Sequence, residues 1–297
     1  MSMRVTNQMM YDSARLQTAS ARERLIDAQD KVSTGKRVVH PGDDPAAAGA
    51  IISQSISLQR FDTINENLGR ASDEAQLGDG ALQNVSDLVA RARQLATQMG
   101  NDTYSAGERA GAAQEIKDIS GQIVTLMNTQ QGGRYLFGGN VDHTPPFDAA
   151  GNYLGDTAVR QVEVAPGLLQ NASVRADVAL KGVGGGVDLF ATLNSLSLAL
   201  VSNDGASVRA SITSLDTSGS QIATALTATG GILDGFQSAT TIGVTAKDTA
   251  TKLLSKLSDV DIFDAASNLA QAQQSLEATL AVAGKSFNMT LLDFLPK

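Results

Sequence analysis

The chain has 297 residues, which is enough for one large domain or for two to three smaller ones. Its 23 Lys and Arg residues face 31 Asp and Glu residues, giving a net charge of −8, and no basic cluster exceeds a short pair. This pattern excludes a basic surface for nucleic acid. Cysteine is absent, which removes disulfides, thiolate metal ligands and thiol nucleophiles, and the 4% aromatic content favours narrow helical packing.

The first 35 residues predict an amphipathic helix that ends near Gly35. Small or apolar side chains recur at the alternating steps of a coiled-coil seam, at Ala14, Thr18, Ala21, Leu25, Ala28 and Val32. A second stripe widens the apolar face beyond what one partner helix covers, at Met9, Leu16, Ala19 and Ile26. We expect an assembly interface formed by Met9, Leu16, Leu25, Ile26 and Val32.

Two further helices are predicted in the next hundred residues. A Pro- and Gly-rich loop follows the first helix, and Asp43 and Asp44 are suited to cap a new helix that has Pro45 in its first turn. The seam spacing returns from Leu68 to Met99, predicting a helix of about 35 residues, roughly 50 Å long. Another amphipathic helix ends near Gly132, and we expect the pair to form a hairpin with its seams in the internal core.

A β-rich insertion is predicted between residues 134 and 187, where three of the six prolines and a cluster of four aromatics fall. Val162 and Val164 flank Glu163 with the alternation of a strand, and residues 174–180 alternate in the same way. Helical texture resumes at Asp188, with a break expected near Asn203 and a weaker one at Gly230 and Gly231.

The last helix has the longest seam. The predicted seam residues are Ile262, Ala266, Leu269, Gln273, Leu276, Leu280, Ala283, Phe287, Thr290 and Phe294. Because only six residues from Asp261 to Lys297 are charged, we expect burial on more than one side and little folding of either end in an isolated monomer. The predicted interface residues are Ile262, Leu269, Leu276, Leu280, Phe287, Leu291, Leu292 and Phe294.

No arrangement of residues predicts catalysis, a metal site or a cofactor site. His40 and His143 lie in separate Pro-containing loops without a second His nearby, and the run Gly284, Lys285 and Ser286 lacks the earlier glycine of a phosphate loop. The start of the chain lacks a basic segment followed by an apolar run, and no 18 consecutive residues are apolar. We therefore expect no enzyme, no membrane partner and no cleaved signal peptide.

Four segments carry a resemblance to a known family: RVTNQM, VSTGKRVVHPGDDPAAAGAI, RYLFGGN and LEATLAVAGKSFNMTLLDFL. In this order they resemble the flagellin superfamily, and within it the family of hook-filament junction proteins, over roughly residues 3–140 and 250–297. Members usually open at MRVT, which suggests Met3 as an alternative start to Met1.

The resemblance implies a mostly α fold with a β-rich insertion: a rod of long antiparallel helices whose N- and C-terminal helices are paired. We expect a terminal coiled-coil assembly domain (1–40 with 258–297), a helical rod domain (41–134 with 188–257) and a β-rich outer domain (135–187).

The resemblance also implies a function: a structural adaptor of the bacterial flagellum that joins the hook zone to the filament. It implies export through the flagellar type III system to an extracellular position, with four partners: other copies in a ring, flagellin, the first hook-associated protein and an export chaperone. The alternatives are a flagellin-type filament subunit and, from another class, a type III-secreted helical binding protein or adhesin.

Overall fold

The computed structural model describes residues 2–288, and side chains for residues 8, 9 and 11–285. Over this range the helices are α1 (Ser2–Thr34), α2 (Pro45–Met99), α3 (Ala106–Met127), α4 (Ala176–Lys181), α5 (Leu189–Val201), α6 (Gly205–Ser258) and α7 (Ile262–Asn288). The strands are β1 (Gln130–Gln131), β2 (Arg134–Tyr135), β3 (Gln161–Ala165) and β4 (Leu168–Asn171). The predicted fold class, mostly α with a small β region in mid-sequence, is confirmed.

The contacts divide the chain into two compact units. The terminal unit contains the described residues up to 59 and from 247 onwards, and the central unit contains residues 60–246. The main packing partners in the terminal unit are α1 and α7, whereas in the central unit α3 packs against α5.

Within the central unit, α2 and α6 run antiparallel. The side chain of Asn65 lies beside Gly243, Arg93 pairs with Asp216, and Arg209 donates a hydrogen bond of 2.6 Å to the carbonyl oxygen of Gly100. The predicted hairpin of α2 and α3 is present as well. Its two helices are joined by the ion pair of Arg91 with Glu115 at 2.7 Å.

Apolar packing in the central unit is concentrated in two separate clusters. The larger cluster joins α2, α3, α5 and α6 through large buried side chains, among them Leu82, Ile116, Leu193 and Leu215. The smaller cluster joins β3 to residues 64–75 of α2 and to α6 near Phe236. Its members include Leu68, Ala75, Val164 and Phe236. The predicted inward side chains of the central helices therefore form internal core, as expected for apolar helical stripes.

The β region contains less sheet than its sequence predicts. Each sheet has two strands: β1 pairs with β2, and β3 pairs antiparallel with β4 so that Val162 faces Gln170. The strand predicted over residues 174–180 is wrong, because α4 occupies most of it. Ala176, Ala179 and Leu180 are buried while Val178 is exposed, which is helical rather than two-residue periodicity.

The predicted start of the second helix is correct, but its predicted length is not. α2 begins at Pro45 and is capped by Asp44, whose carboxylate accepts from the amide of Ala47 at 3.0 Å. It continues without a break into the seam of residues 68–99, so it has 55 residues rather than about 35. Asp43 instead accepts from the loop amides of Val39 and His40. Gly230 and Gly231 do not break α6, which continues through both for a total of 54 residues.

A buried arginine connects the two turns at one end of the central unit. Arg109 is 4% exposed and donates to the carbonyl oxygens of Met99 at 3.0 Å and Asn101 at 3.1 Å, in the turn between α2 and α3. It also donates to the side-chain oxygen of Asn203 at 2.6 Å, in the turn between α5 and α6. Each bond uses the guanidinium charge, which makes it stronger than a neutral hydrogen bond.

Candidate assembly surface

The two terminal helices pack through an inner seam of mostly small residues. On α1 the residues turned away from solvent recur at steps of four and three, namely Ala14, Thr18, Ala21, Leu25 and Ala28. On α7 the same spacing is followed by Ala265, Leu269, Ala272, Leu276, Thr279 and Ala283. This alternation is the contact pattern of paired coiled-coil helices, and small side chains allow the two backbones to approach closely.

Among the described side chains, the predicted seam of α7 is correct at Leu269, Leu276 and Ala283 but wrong at the other four positions. Ile262, Ala266, Gln273 and Leu280 are exposed, and their places in the inner seam are taken by Ala265, Ala272 and Thr279. The predicted register placed the large apolar side chains of Ile262 and Leu280 in the seam. The helix pair instead buries the small ones, which leaves Ile262 and Leu280 on an outer face.

Large apolar side chains on the far side of α1 form an outer stripe. Its members are Met9, Leu16 and Ile26, with exposed fractions of 67%, 72% and 57%. Ala19 lies exposed on the same stripe, and Val32 is also exposed. The predicted interface residue Leu25 belongs instead to the inner seam, where it is half-buried.

The exposed apolar residues on α7 include two that sequence reasoning missed. Phe263 is 87% exposed and Val282 is 62% exposed, alongside the predicted Ile262 and Leu280. Neither residue falls on the three-and-four spacing of the predicted seam. The only sequence signal that they belong to an interface was the size of their apolar side chains in a helix with few charged residues. Phe287 belongs to α7, although its side chain is not among those described; Leu291, Leu292 and Phe294 lie outside the described residues.

A groove between α1 and α7 follows from this packing. It has a volume of about 440 Å³. Its lining combines small side chains with Leu280 and two arginines, in full Ala14, Arg15, Thr18, Ala19, Arg22, Leu280, Ala283 and Gly284. A concave apolar surface with charged residues at its border is the shape that accepts a ridge of side chains from another helix.

The terminal unit buries no large side chain completely among its described residues. Its buried members are alanines and one serine, namely Ala21, Ala28, Ala47, Ala250, Ala265, Ala283 and Ser258. A completely buried Leu or Ile would stabilise a fold by roughly 1.5 to 3 kcal/mol, much more than an alanine does. In the structure the two terminal helices are paired, whereas the sequence predicts little folding of the ends in an isolated monomer. The apolar core between the paired helices is nevertheless small, so it stabilises the pair only weakly.

Hydrogen exchange of the isolated monomer should detect this weakness. We expect amides between Leu16 and Val32 to exchange roughly a hundredfold faster than those between Ala112 and Met127, where α3 buries large side chains. Mass spectrometry of exchanged peptides makes the comparison within one sample, so α3 is an internal control. Equal protection of the two helices would contradict a marginal terminal pair.

Backbone hydrogen bonds connect the residues just after α1 to the residues just before α7. α1 ends at Thr34 and is followed by Gly35, whose φ of +67° provides the left-handed residue that commonly terminates a helix. The amide of Val260 donates to the carbonyl oxygen of Gly35 at 3.0 Å, and the amide of Arg37 donates to Ser258 at 2.6 Å. Lys36 pairs with Asp259 at 2.5 Å between the same two segments. The Lys36 ammonium, together with hydroxyl bonds from Ser255 and Ser258, lowers the pKa of Asp259 to about 2.

The Asp259 contribution to stability should disappear on acidification. A carboxyl with a folded pKa below its unfolded value stabilises the fold above the unfolded pKa and loses this effect as pH falls through the folded pKa. We therefore expect Asp259→Asn to lower the melting temperature at pH 5, with the difference from the parent shrinking as pH falls from about 4 towards 2. Asp248→Asn, which removes an exposed pair with Lys252 on a helix surface, is the control and should have little effect. A difference as large at pH 2 as at pH 5 would contradict this role.

Two classes of site are absent from the described residues. Nowhere in residues 2–288 does a helix combine the length and the apolarity that crossing a membrane requires. Over the same range, no group of three or more His, Asp or Glu residues is placed to hold a metal ion.

Comparison with known proteins identifies the family of this chain. The model of the bacterial flagellin N-terminal helical region matches residues 5–142. Flagellar hook-associated protein 3 of Salmonella typhimurium is 33% identical over 55% of this chain and 53% of its own length. The corresponding protein of Escherichia coli K12 is 30% identical over 67% of both chains. The chain belongs to the flagellar hook-associated protein 3 family.

Membership of the hook-associated protein 3 family agrees with the fold. A solved flagellar hook-associated protein from Vibrio parahaemolyticus superposes with a TM-score of 0.67, over 73% of this chain and 100% of that protein. Its 21% identity supports the shared fold alone. The alignment spans about half the length of the Salmonella relative and two thirds of the Escherichia coli relative.

Proposed function

We propose that this protein is a structural adaptor of the bacterial flagellum that joins the hook zone to the flagellin filament. The observation that carries the proposal is the terminal unit: large apolar side chains lie on its outer faces, whereas its buried residues, among the side chains described, are alanine and serine. A soluble protein rarely exposes such a surface unless another protein covers it. The names of the hook-associated relatives indicate which assembly supplies that protein.

The proposed interface consists of the outer residues of α1 and α7 together with the predicted positions beyond residue 285. In this proposal, neighbouring copies pack against the outer stripe and the groove, so that subunits form a ring. The first hook-associated protein is the partner on one side and flagellin the partner on the other. An export chaperone covers the C-terminal helix beforehand, and the flagellar type III system exports the chain.

The three-part division remains part of the proposal. Residues 1–40 with 258–297 form the assembly domain, residues 41–134 with 188–257 form the helical rod, and residues 135–187 form the outer domain. The bridge of Lys36 with Asp259 supports the first boundary, because it lies where both terminal helices join the rest of the chain. The larger cluster unites α2, α3, α5 and α6, which supports a single helical rod domain.

Deletion of the gene in the source bacterium tests the proposal. We expect cells that assemble hooks but carry no attached filaments, with flagellin released into the medium; a plasmid copy of the gene should restore attachment. Electron microscopy of cells and immunoblotting of the medium provide the two readouts. Filaments that remain attached in the deletion strain would contradict an adaptor role. Shortened but attached filaments would indicate a flagellin-type subunit instead.

A further inference from the structure

Each long helix of the central unit has a short segment, between the two apolar clusters, that contributes no buried residue to either cluster. The two segments lie at the same level of the unit. On α2 the smaller cluster ends at Ala75 and the larger one begins at Ala81, and on α6 the larger one ends at Ala225 while the smaller one contains Phe236. Between these residues α6 contributes only the partly buried Leu226 to the larger cluster and the partly buried Ile232 and Leu233 to the smaller one, so none of the three joins the two clusters.

Glycines occupy this level on both helices. The contacts of Asn65 with Gly243 and of Arg93 with Asp216 define the antiparallel register, and the same register places Gly78 beside Gly230 and Gly231. An added Cβ on Gly230 or Gly231 would meet no atom within 4 Å, so neither glycine is required by close packing. Glycine lowers helix stability relative to alanine, and glycine-containing pairs are a recognised cause of helix bending.

The surroundings of these glycines are also loosely packed. A cavity of about 20 Å³ lies between the clusters, with Leu136 and Phe137 on one side and Ala75 and Ala172 on the other. This volume is about that of one water molecule. Arg160 borders the cavity, where it pairs with Glu74 at 2.9 Å while its Nε atom is buried without a hydrogen-bond partner.

A side-chain hydrogen bond further weakens α6 at the same level. The hydroxyl of Thr229 donates to the carbonyl oxygen of Ala225 at 3.0 Å. Bonds of this kind, from a hydroxyl to the carbonyl four residues earlier, slightly destabilise helices and often bend them. The buried Ser218, which immediately precedes Gly219, makes the same bond to Ser214 at 3.0 Å, so this level is distinguished by the glycine pair and not by the bond of Thr229.

From these observations we infer that the central unit has a bending point at Gly78 on α2 and at Gly230 and Gly231 on α6. The two clusters move as separate bodies about this level, so the unit changes its curvature without opening either core. The inference concerns the mechanics of this chain and does not depend on the proposed function. It also gives a role to two adjacent glycines in a continuous helix where packing does not require glycine.

Distance measurements between spin labels test this bending point. Thr217 and Thr241 are exposed on α6 on either side of the glycine pair, and a straight helix places them roughly 36 Å apart. Since the chain has no cysteine, Thr217→Cys and Thr241→Cys create two unique labelling sites in the full-length protein. Gly230→Ala with Gly231→Ala should reduce the width of the distance distribution by about half, because alanine stabilises the straight helix.

The matched control carries two glycine replacements away from the bending point. Gly69 and Gly219 also lie in α2 and α6, and a Cβ added to either would meet no atom within 4 Å. Gly69→Ala with Gly219→Ala should therefore stabilise the helices to a similar extent but leave the distribution as broad as in the parent. An unchanged width in the Gly230 and Gly231 variant overturns the inference, and so does an equal narrowing in the control. Narrowing confined to the former supports it.

Discussion

Replacing Leu16 and Ile26 by serine should abolish filament attachment while changing the free energy of unfolding of the monomer by no more than about 0.5 kcal/mol. Both side chains are more than half exposed on the outer stripe, so their replacement removes no packing within the chain. If a neighbouring subunit covers them, each replacement leaves a polar group in an apolar contact, and the loss is repeated in every copy of a ring. The measurement is the fraction of hooks that carry a filament when the variant complements a deletion strain.

A matched control separates this effect from a general loss of surface hydrophobicity. Leu198 and Val201 on α5 are 61% and 60% exposed, close to the values for the outer stripe, but lie in the central unit. Leu198→Ser with Val201→Ser should therefore leave filament attachment at the parental level. Normal attachment with the Leu16 and Ile26 variant, or equal loss with both variants, would remove the evidence for an interface on α1.

Arg109→Ala should destabilise the central unit by roughly 3 kcal/mol, the largest effect that we expect from a single substitution. The substitution leaves the carbonyl oxygens of Met99 and Asn101 without their charged donor and removes the link to Asn203. The turn between α2 and α3 and the turn between α5 and α6 then no longer share a hydrogen-bond donor. Urea unfolding followed by circular dichroism measures the change in the free energy of unfolding.

Arg91→Ala is the control for the loss of an arginine as such. Arg91 forms an ion pair with Glu115 between the same two helices, but both side chains are more than 40% exposed. Exposed pairs contribute only about 0 to 1 kcal/mol, so the control variant should unfold almost as the parent does. A loss of less than about 1 kcal/mol in Arg109→Ala would show that the buried guanidinium is not the shared donor of the two turns.

The sequence predicts the helices of this fold well, because their signals are local. Gly35 marks the end of α1, Asp44 and Pro45 mark the start of α2, and Asp188 caps α5, each through hydrogen bonds or backbone angles confined to a few residues. Gly230 and Gly231 are the exception, since the packed regions on both sides maintain the helix despite an unfavourable local preference.

Features that depend on distant residues could not be predicted in the same way. The register of α7 against α1 depends on which side chains let two helices approach closely, and apolar size alone pointed to Ile262 and Leu280 rather than Ala265 and Thr279. Residues 174–180 have a strand-like alternation that becomes helical in the fold through burial of Ala176 and Leu180. Arg109 had no sequence signal, because its partners come from two separate turns.

Immunogold labelling of intact flagella tests the proposed junction role most directly. The antibody is raised against the central unit, residues 60–246, which contains neither terminal helix. It should label a single band where the hook meets the filament. Label along the whole filament would contradict the junction role and indicate a filament subunit. Label that is absent from the flagellum altogether would contradict an assembly role there.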